Sequence, residues 1–179
     1  MLLTLFCDAS FDHKTAAGGW GAWAKREDWP RGKDACGRVF GAHNSTEAEL
    51  LGIAEAITVS LALGWLDQAD VMIQCDNLAA LAVIYYSADG IDTPTKNGIR
   101  IADHGKPDIS PVMRRALQST TEALGGKRVF LRHVKGHSDA SCGRSWVNKQ
   151  CDLLAKREMN KFRREIVGGQ ETISRYRVR

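Results

Sequence analysis

Three short apolar runs open the chain, separated by polar connections that contain glycine and proline. The runs cover residues 2–8, 19–24 and 37–41. Apolar runs bounded by such turn formers are typical of β-strands. The pattern therefore predicts an antiparallel meander at the start of the fold.

Helical periodicity replaces the strand pattern from about residue 44 to residue 63, and Gly64 follows. Apolar residues recur at steps of three and four, which predicts one buried helix face. They are Leu50, Ile53, Ala54, Ile57 and Leu61.

Strand and helix signals alternate in the rest of the chain. They predict a strand at 70–75, a helix at about 77–86, an irregular stretch at 87–109, a helix capped by Ser110 and ending at Gly125, a strand at 129–134, a polar loop at 135–147 and a helix at about 147–162. Strands joined through helices pair in parallel. The predicted fold class is α/β, with a five-stranded mixed sheet in which parallel strands follow the meander and helices flank the sheet.

A chain of 179 residues is long enough for one domain with its own core. We predict a domain at residues 1–162 and a basic tail at 163–179. The net charge is +4, but from residue 156 onward eight Lys or Arg face three Glu, which leaves residues 1–155 at −1. A basic end beside an acidic site suits an enzyme that binds a polyanion, and a solvated helix face explains the charge equally well.

Cysteine usage indicates the compartment. The five cysteines are odd in number and form no C-x-x-C pair, which favours a reducing environment. The opening apolar run is too short to cross a membrane and lacks the features of a signal peptide. We therefore expect a cytoplasmic monomer that makes no membrane contact.

Four acidic residues carry the candidate chemistry. Asp8 and Asp76 each close an apolar run, while Glu49 and Asp152 lie near the starts of predicted helices. A single such acid is usually a turn former or a helix cap. If the first and fourth strands are neighbours, however, the carboxylates converge, and buried carboxylates need partners or hard divalent cations. The set points to metal-dependent phosphodiester chemistry.

Five short blocks, in this order and on these elements, resemble the type I ribonuclease H family over roughly residues 1–160. The blocks are Asp8-Ala9-Ser10 with Gly18-Gly19-Trp20-Gly21, Ser45-Thr46-Glu47-Ala48-Glu49-Leu50, Cys75-Asp76-Asn77, Val134-Lys135-Gly136-His137, and Asn148 with Cys151-Asp152 before Leu154-Ala155.

The resemblance implies a ribonuclease H-like fold and cleavage of the RNA strand of RNA–DNA hybrids to a 5′-phosphate and a 3′-hydroxyl. It also implies two Mg²⁺ ions, with Mn²⁺ as a substitute. The implied metal ligands and catalytic residues are Asp8, Glu49, Asp76 and Asp152.

The same resemblance gives His137 a catalytic role in moving protons or helping product leave. His137 precedes Asp152 by 15 residues, a longer separation than in most relatives. We also expect Asn148 to cap the last helix or to contact the scissile region. The implied substrate-binding residues are Ser10, Ser45, Thr46, Asn77, Lys135 and Asn148.

Glu47 and Glu49 compete for the second acidic position. Glu47 lies three residues after Asn44 and can close a capping box with it, which would be a structural role. Glu49 precedes Leu50, the first residue of the apolar stripe. We therefore assign the site to Glu49.

Departures from the family pattern concern substrate choice. Ser45 and Thr46 replace two asparagines common in relatives, and Leu78 replaces a glutamine that can hydrogen-bond. Many members of the family carry a basic segment, called the handle, in this part of the chain. The 87–109 stretch has no excess of basic residues, so the sequence does not support such a handle. The tail at 163–179 is our candidate substitute for that handle.

A zinc site is disfavoured, because its possible ligands do not form two closely spaced pairs such as C-x-x-C and H-x-x-x-H. These ligands would be His133, His137, Cys142 and Cys151. Cys7 and Cys75 fit better as small buried apolar residues, and Trp146 is the tryptophan most suited to substrate contact. A nucleic-acid-binding module on the same fold, or a nuclease with another substrate preference, is the alternative function.

Overall fold

The computed structural model describes residues 1–87, 91–92, 101, 105–134, 143–169 and 176–178, with backbone alone for 91–92 and 176–178. Its strands are β1 (Leu2–Asp12), β2 (Ala17–Arg26), β3 (Lys33–Val39), β4 (Asp70–Cys75), β5 (Ile91–Asp92), β6 (Val129–His133) and β7 (Tyr176–Val178). Its helices are α1 (Ser45–Ala62), α2 (Leu78–Ser87), α3 (Pro111–Leu124) and α4 (Gly143–Gly168).

The predicted five-stranded mixed sheet is confirmed. Strands β3, β2 and β1 pair antiparallel, and β1, β4 and β6 pair parallel. The sheet also carries β5 beside β6 and β7 beside β3, in the order β5-β6-β4-β1-β2-β3-β7. These edge strands of two and three residues are too short to show a hydrophobic period, so the sequence pattern missed them.

Two predicted boundaries were wrong in a way that matters for the site. β1 continues past Asp8 to Asp12, so Asp8 lies inside the strand and not at its end. α4 runs from Gly143 to Gly168, beyond both predicted ends at residues 147 and 162. Its later turns consist largely of Lys, Arg and Glu, which favour helix, and the helix ends before Gly169 with a φ of 70°.

The predicted domain boundary at residue 162 falls inside α4, and it stays a prediction. Near that point Arg38 of β3 forms an ion pair of 2.6 Å with Glu165. The two charges tie the end of α4 to the sheet.

Helices cover both faces of the sheet. α1 packs on β1 and β2 with α2 and α3 beside it, and the larger core cluster, which includes Trp20 and Trp65, lies there. α4 packs on the other face, where a smaller cluster contains Phe6, Val134, Val147 and Cys151. Within the described ranges, no helix is both long enough and apolar enough to span a membrane.

Glycines on β2 allow α4 to approach the sheet closely. A Cβ atom at Gly21 would meet the carbonyl oxygen of Cys151 and would lie 2.6 Å from Cβ of Leu154. At Gly19 it would meet the backbone of Ala155 and Met159. Only a residue without a side chain fits between helix and strand at these points.

We predict that Gly21→Ala destabilises the protein by ~1–3 kcal/mol, because the added methyl group must push α4 away from β2. Urea unfolding measures the change. Gly168→Ala is the matched control, since a Cβ there meets nothing within 4 Å. Equal stability of the two variants would contradict the packing argument.

Candidate active site

The candidate site forms where β1 continues beyond the end of its neighbour β4. β1 and β4 pair from Leu2–Asp70 to Phe6–Gln74, and β4 ends at Cys75. β1 continues and pairs only with β2, where Asp8 faces Gly21. A gap therefore opens in the sheet beside Asp8.

Carboxylates reach this gap from three elements. Asp8 comes from β1, Glu49 from α1, and Asp76 directly follows β4. One carboxylate oxygen from each lies within 4.8 Å of the other two, an arrangement that can hold a metal ion. Asp8 and Glu49 are buried, and Asp76 is half-buried.

Burial and mutual repulsion disfavour the charged forms of two of these acids. Burial first, and then the charge of Asp76, raise the pKa of Asp8 to about 7. Burial and the charges of Asp8 and Asp76 raise the pKa of Glu49 well above 4.5. A hydrogen bond between Glu49 and Asp8 raises the pKa of Glu49 further and opposes the rise at Asp8.

Two polar side chains hold Asp76 in place. Nδ2 of Asn148 donates to Oδ2 of Asp76 at 3.1 Å. Nε2 of His133 lies 3.0 Å from the main-chain oxygen of Asp76. The suggested capping role of Asn148 was wrong, because α4 begins upstream at Gly143.

Asp152 lies beside the three carboxylates but is not one of the group. Its position in the third turn of α4, not at the helix start as predicted, follows from the upstream start of the helix. Nζ of Lys156 lies 2.8 Å from Oδ2 of Asp152. The charge of Asp152 also raises the pKa of Asp8, so the two carboxylates are close enough to interact.

The choice between Glu47 and Glu49 has a clear geometric basis. The Asn44 side chain accepts a hydrogen bond of 2.9 Å from the Glu47 amide and caps α1. Oε2 of Glu47 accepts from the amide of His43 at 2.8 Å, one residue before the expected capping-box partner. Glu47 therefore serves the helix end, and Glu49 meets Asp8 and Asp76.

The predicted substrate-binding residues occupy different surroundings. Ser45 is exposed and Thr46 half-buried in the first turn of α1, one turn before Glu49. Ser10 is half-buried in β1 opposite Gly19. Asn77 accepts a hydrogen bond of 2.9 Å from the amide of Ala80, so its side-chain oxygen serves the start of α2.

Lys135, His137 and Cys142 lie outside the described residues. Cys7 and Cys75 are buried, as expected for small apolar side chains, and so is Cys151. Sγ of Cys75 donates to Oε2 of Glu49 at 3.7 Å. Asp8, Glu49 and Asp76 form what we call the carboxylate trio. Among the described residues, it is the only group of His, Cys, Asp or Glu side chains spaced to hold a metal ion.

Sequence reasoning missed three contacts of the site. These are the His133 contact with Asp76, the Asn148 contact with Asp76 and the Lys156 ion pair with Asp152. Only the last had a signal, because opposite charges four residues apart on a helix face each other. The other two join residues distant in the chain, and nothing local in the sequence marks them.

Several solved structures share this fold. RNase H1 from the halophilic archaeon Halobacterium salinarum is 15% identical with a TM-score of 0.61, and the match covers 90% of this chain and 99% of that one. The N-terminal RNase H domain of rv2228c from Mycobacterium tuberculosis is 13% identical with a TM-score of 0.59, covering 92% and 97%. LC11-RNase H1, isolated from compost, is 10% identical with a TM-score of 0.57, covering 89% and 97%. Curated proteins gave no match.

The family model for RNase H matches residues 2–160, which is most of the chain. The protein therefore belongs to the RNase H family and is a ribonuclease H hydrolase. The predicted family resemblance is confirmed.

We predict that metal binding at the trio releases protons near neutral pH, because ligand carboxylates must be deprotonated and the pKa of Asp8 is about 7. Calorimetric titration with Mn²⁺ in buffers of different ionisation enthalpy measures the release. Asp70→Asn, at the opposite end of β4, should leave it unchanged, and Glu49→Gln should reduce it. A binding enthalpy independent of buffer would contradict the prediction.

We also predict that the metal-free protein loses stability as pH rises. An acid with a raised folded-state pKa contributes stability below its unfolded-state pKa, and this is lost as pH rises through the folded-state value. For Asp8 the window runs from 3.8 to about 7. Thermal unfolding in EDTA should show the loss, and Asp8→Asn should remove much of it.

The control variant for this experiment is Asp70→Asn, in which an acid with a lowered pKa, not a raised one, is removed. A hydrogen bond from Arg128 lowers the pKa of Asp70, so Asp70→Asn should destabilise the protein at neutral pH. A metal-free wild-type protein whose stability does not fall across the window would refute the repulsion argument.

Proposed function

We propose that this protein is a metal-dependent endoribonuclease that hydrolyses the RNA strand of RNA–DNA hybrids and leaves a 5′-phosphate and a 3′-hydroxyl. The observation that carries the proposal is the meeting of Asp8, Glu49 and Asp76 within 4.8 Å in a chain of the RNase H family. Asp152 is the proposed fourth acidic residue.

The trio has the properties that a hard divalent cation requires. All its donors are carboxylate oxygens, which Mg²⁺ and Mn²⁺ prefer. None of the three acids forms an ion pair with another described residue, although Asp8 and Glu49 are buried. Bound cations would relieve the repulsion that raises the pKa values of these two acids.

In the proposed reaction the main contribution of the protein is to hold carboxylate groups in place as metal ligands. Asp8, Glu49, Asp76 and Asp152 would hold two Mg²⁺ ions. When bound, two such ions supply a nucleophilic water and stabilise the leaving 3′ oxygen. The hydrogen bond from Asn148 occupies one oxygen of Asp76 and fixes the direction of the other.

His137 and Lys135 enter the proposal through the family motif. An imidazole with a pKa near neutrality can accept a proton and pass it on, which is the role proposed for His137. Lys135 would contact the substrate backbone.

Recognition of the RNA strand would involve the first turn of α1. The hydroxyls of Ser45 and Thr46 lie one helical turn before Glu49 and can bond to ribose 2′-hydroxyls. Leu78 packs against the core and offers no polar contact. LC11-RNase H1, which has the same fold, was solved in complex with an RNA/DNA hybrid, and this supports the substrate class.

The remaining expectations stay predictions: a cytoplasmic location, a monomeric state and a substrate-binding role for the basic residues after residue 162. Exposed Arg163 and Arg164 at the end of α4 carry part of that charge.

The alternative is a ribonuclease H-fold module that binds nucleic acid, or a nuclease with another substrate preference. The loss of a polar side chain at Leu78 is the observation that favours a changed preference. A binding module would retain hybrid affinity without producing cleavage products.

We expect the wild-type protein to cleave end-labelled RNA in a hybrid with Mg²⁺ or Mn²⁺, and to be inactive in EDTA. Asp76→Asn should reduce kcat by at least about 100-fold, because it removes a negative charge from the metal ligands. Asp70→Asn, with the same chemical change at the opposite end of β4, should remain active.

The same assay on duplex DNA, duplex RNA and single-stranded RNA separates the candidates. Products with a 3′-phosphate, or cleavage in EDTA, would overturn the proposed mechanism. Preferred cleavage of duplex RNA would favour the alternative nuclease, and hybrid binding without cleavage would favour the module.

A further inference from the structure

Two arginines lie near the candidate active site without an acidic partner among the described residues. Arg132 lies in β6 just before His133, and Arg144 is the second residue of α4. Neither occurs in the ion pairs formed within the described ranges. By contrast, Arg26, Arg38 and Arg157 each pair with a carboxylate.

Arg132 is also partly sequestered from water. The residue is half-buried, and its Nε is buried with no hydrogen-bond partner in the described part of the chain. Its cross-strand neighbour Gln74 is uncharged and cannot neutralise a guanidinium. An unpaired, half-buried cation is costly, and an anion would remove that cost.

Both arginines belong to the same corner of the fold. In the β-sheet register Arg132 lies beside Gln74, and Gln74 lies beside Phe6, so the three side chains point to one face. Phe6 packs against Val147 of α4, less than one turn after Arg144. Burial first, and then the charge of Arg144, lower the pKa of Arg132, which fits the proximity of the two cations.

This corner is connected directly to Asp76. Arg132 precedes His133, whose ring lies 3.0 Å from the main-chain oxygen of Asp76. Arg144 lies four residues, about 6 Å along the helix axis, before Asn148, which donates to the Asp76 carboxylate at 3.1 Å. Both arginines are therefore close in the fold to the residues that contact Asp76.

We propose that Arg132 and Arg144 form a binding subsite for a backbone phosphate of the nucleic-acid substrate, next to the scissile phosphate. The inference rests on the proposed function, because it takes a nucleic acid as the substrate. The planar guanidinium presents two parallel donors to a phosphate oxygen pair, and a second guanidinium adds further donors and attraction for the negatively charged phosphodiester. The subsite binds the substrate and does not touch the reacting atoms, so it should affect KM more than kcat.

The test is steady-state cleavage of a hybrid by the double variant Arg132→Gln with Arg144→Gln. We expect KM to rise about tenfold with kcat within about twofold, and the slope of log KM against log salt to fall by about 0.7–0.9 for each lost contact. The matched control is Arg114→Gln with Arg115→Gln, two exposed arginines of α3 that form no ion pair within the described ranges. It makes the same change in net charge and should leave both constants nearly unchanged.

Neutral methylphosphonates placed singly along the hybrid identify the phosphate and its strand. A substitution at the contacted phosphate should raise KM for the wild-type enzyme and have little further effect on the double variant, since both remove the same contact. Scanning the RNA strand and the DNA strand separately shows which one carries that phosphate. Additive effects at every position would overturn the inference.

A second measurement, titration with inorganic phosphate, does not depend on catalysis. Arg144 is exposed, so Arg144→Gln alone should fold, and it should raise KM in part. Titration with inorganic phosphate, followed by the Nε–H NMR signal of Arg132, should shift that signal in the wild type and shift it less in Arg144→Gln. Arg132→Lys keeps the charge but loses the two-pronged geometry and should recover part of the binding.

The outcomes separate this inference from the proposed function. If Asp76→Asn abolishes cleavage while the double arginine variant behaves like its control, the function stands and the subsite is wrong. If the wild type does not cleave hybrid, the proposed function fails, and the phosphate titration still decides whether the arginine pair binds phosphate.

Discussion

Electrostatic repulsion among the carboxylates of Asp8, Glu49 and Asp76 is the main physical constraint on the candidate active site. The fold brings Asp8, Glu49 and Asp76 together in the gap left where β4 ends and β1 continues. Cys7 lies on the α1 side of the sheet, near Gly52, so alternation along β1 directs Asp8 to the other face. The gap allows Asp8 to meet Glu49 of α1 although they come from opposite faces.

The position of α4 is the second constraint. Gly19 and Gly21 let this helix lie directly on β2, and the same helix carries Asn148 and Asp152 to the edge of the gap. Backbone packing at one end of β2 thus sets the place of polar groups in the site. A methyl group added at the strand would therefore disturb the chemistry as well as the core.

The sequence predicted the five longer strands, the helices and the convergence of three of the four acids because apolar period and strand adjacency are properties of short segments and simple topology. Glu47 was expected to serve the start of α1, and it does so through its amide, which donates to Asn44, while its carboxylate accepts from the amide of His43. What could not be predicted depends on three-dimensional contact: the continuation of β1 beyond Asp8, and the bond between Asn148 and Asp76. The start of α4 was misplaced because the polar residues before Val147 show no apolar period.

The strand β7 lies at the outer side of β3, where Ala35, Cys36 and Gly37 pair with Val178, Arg177 and Tyr176. An uncovered edge strand offers its amides and carbonyls to other chains. β7 occupies the hydrogen-bonding edge of β3 at residues 35–37 and therefore leaves fewer of the β3 backbone groups open to a strand from another chain.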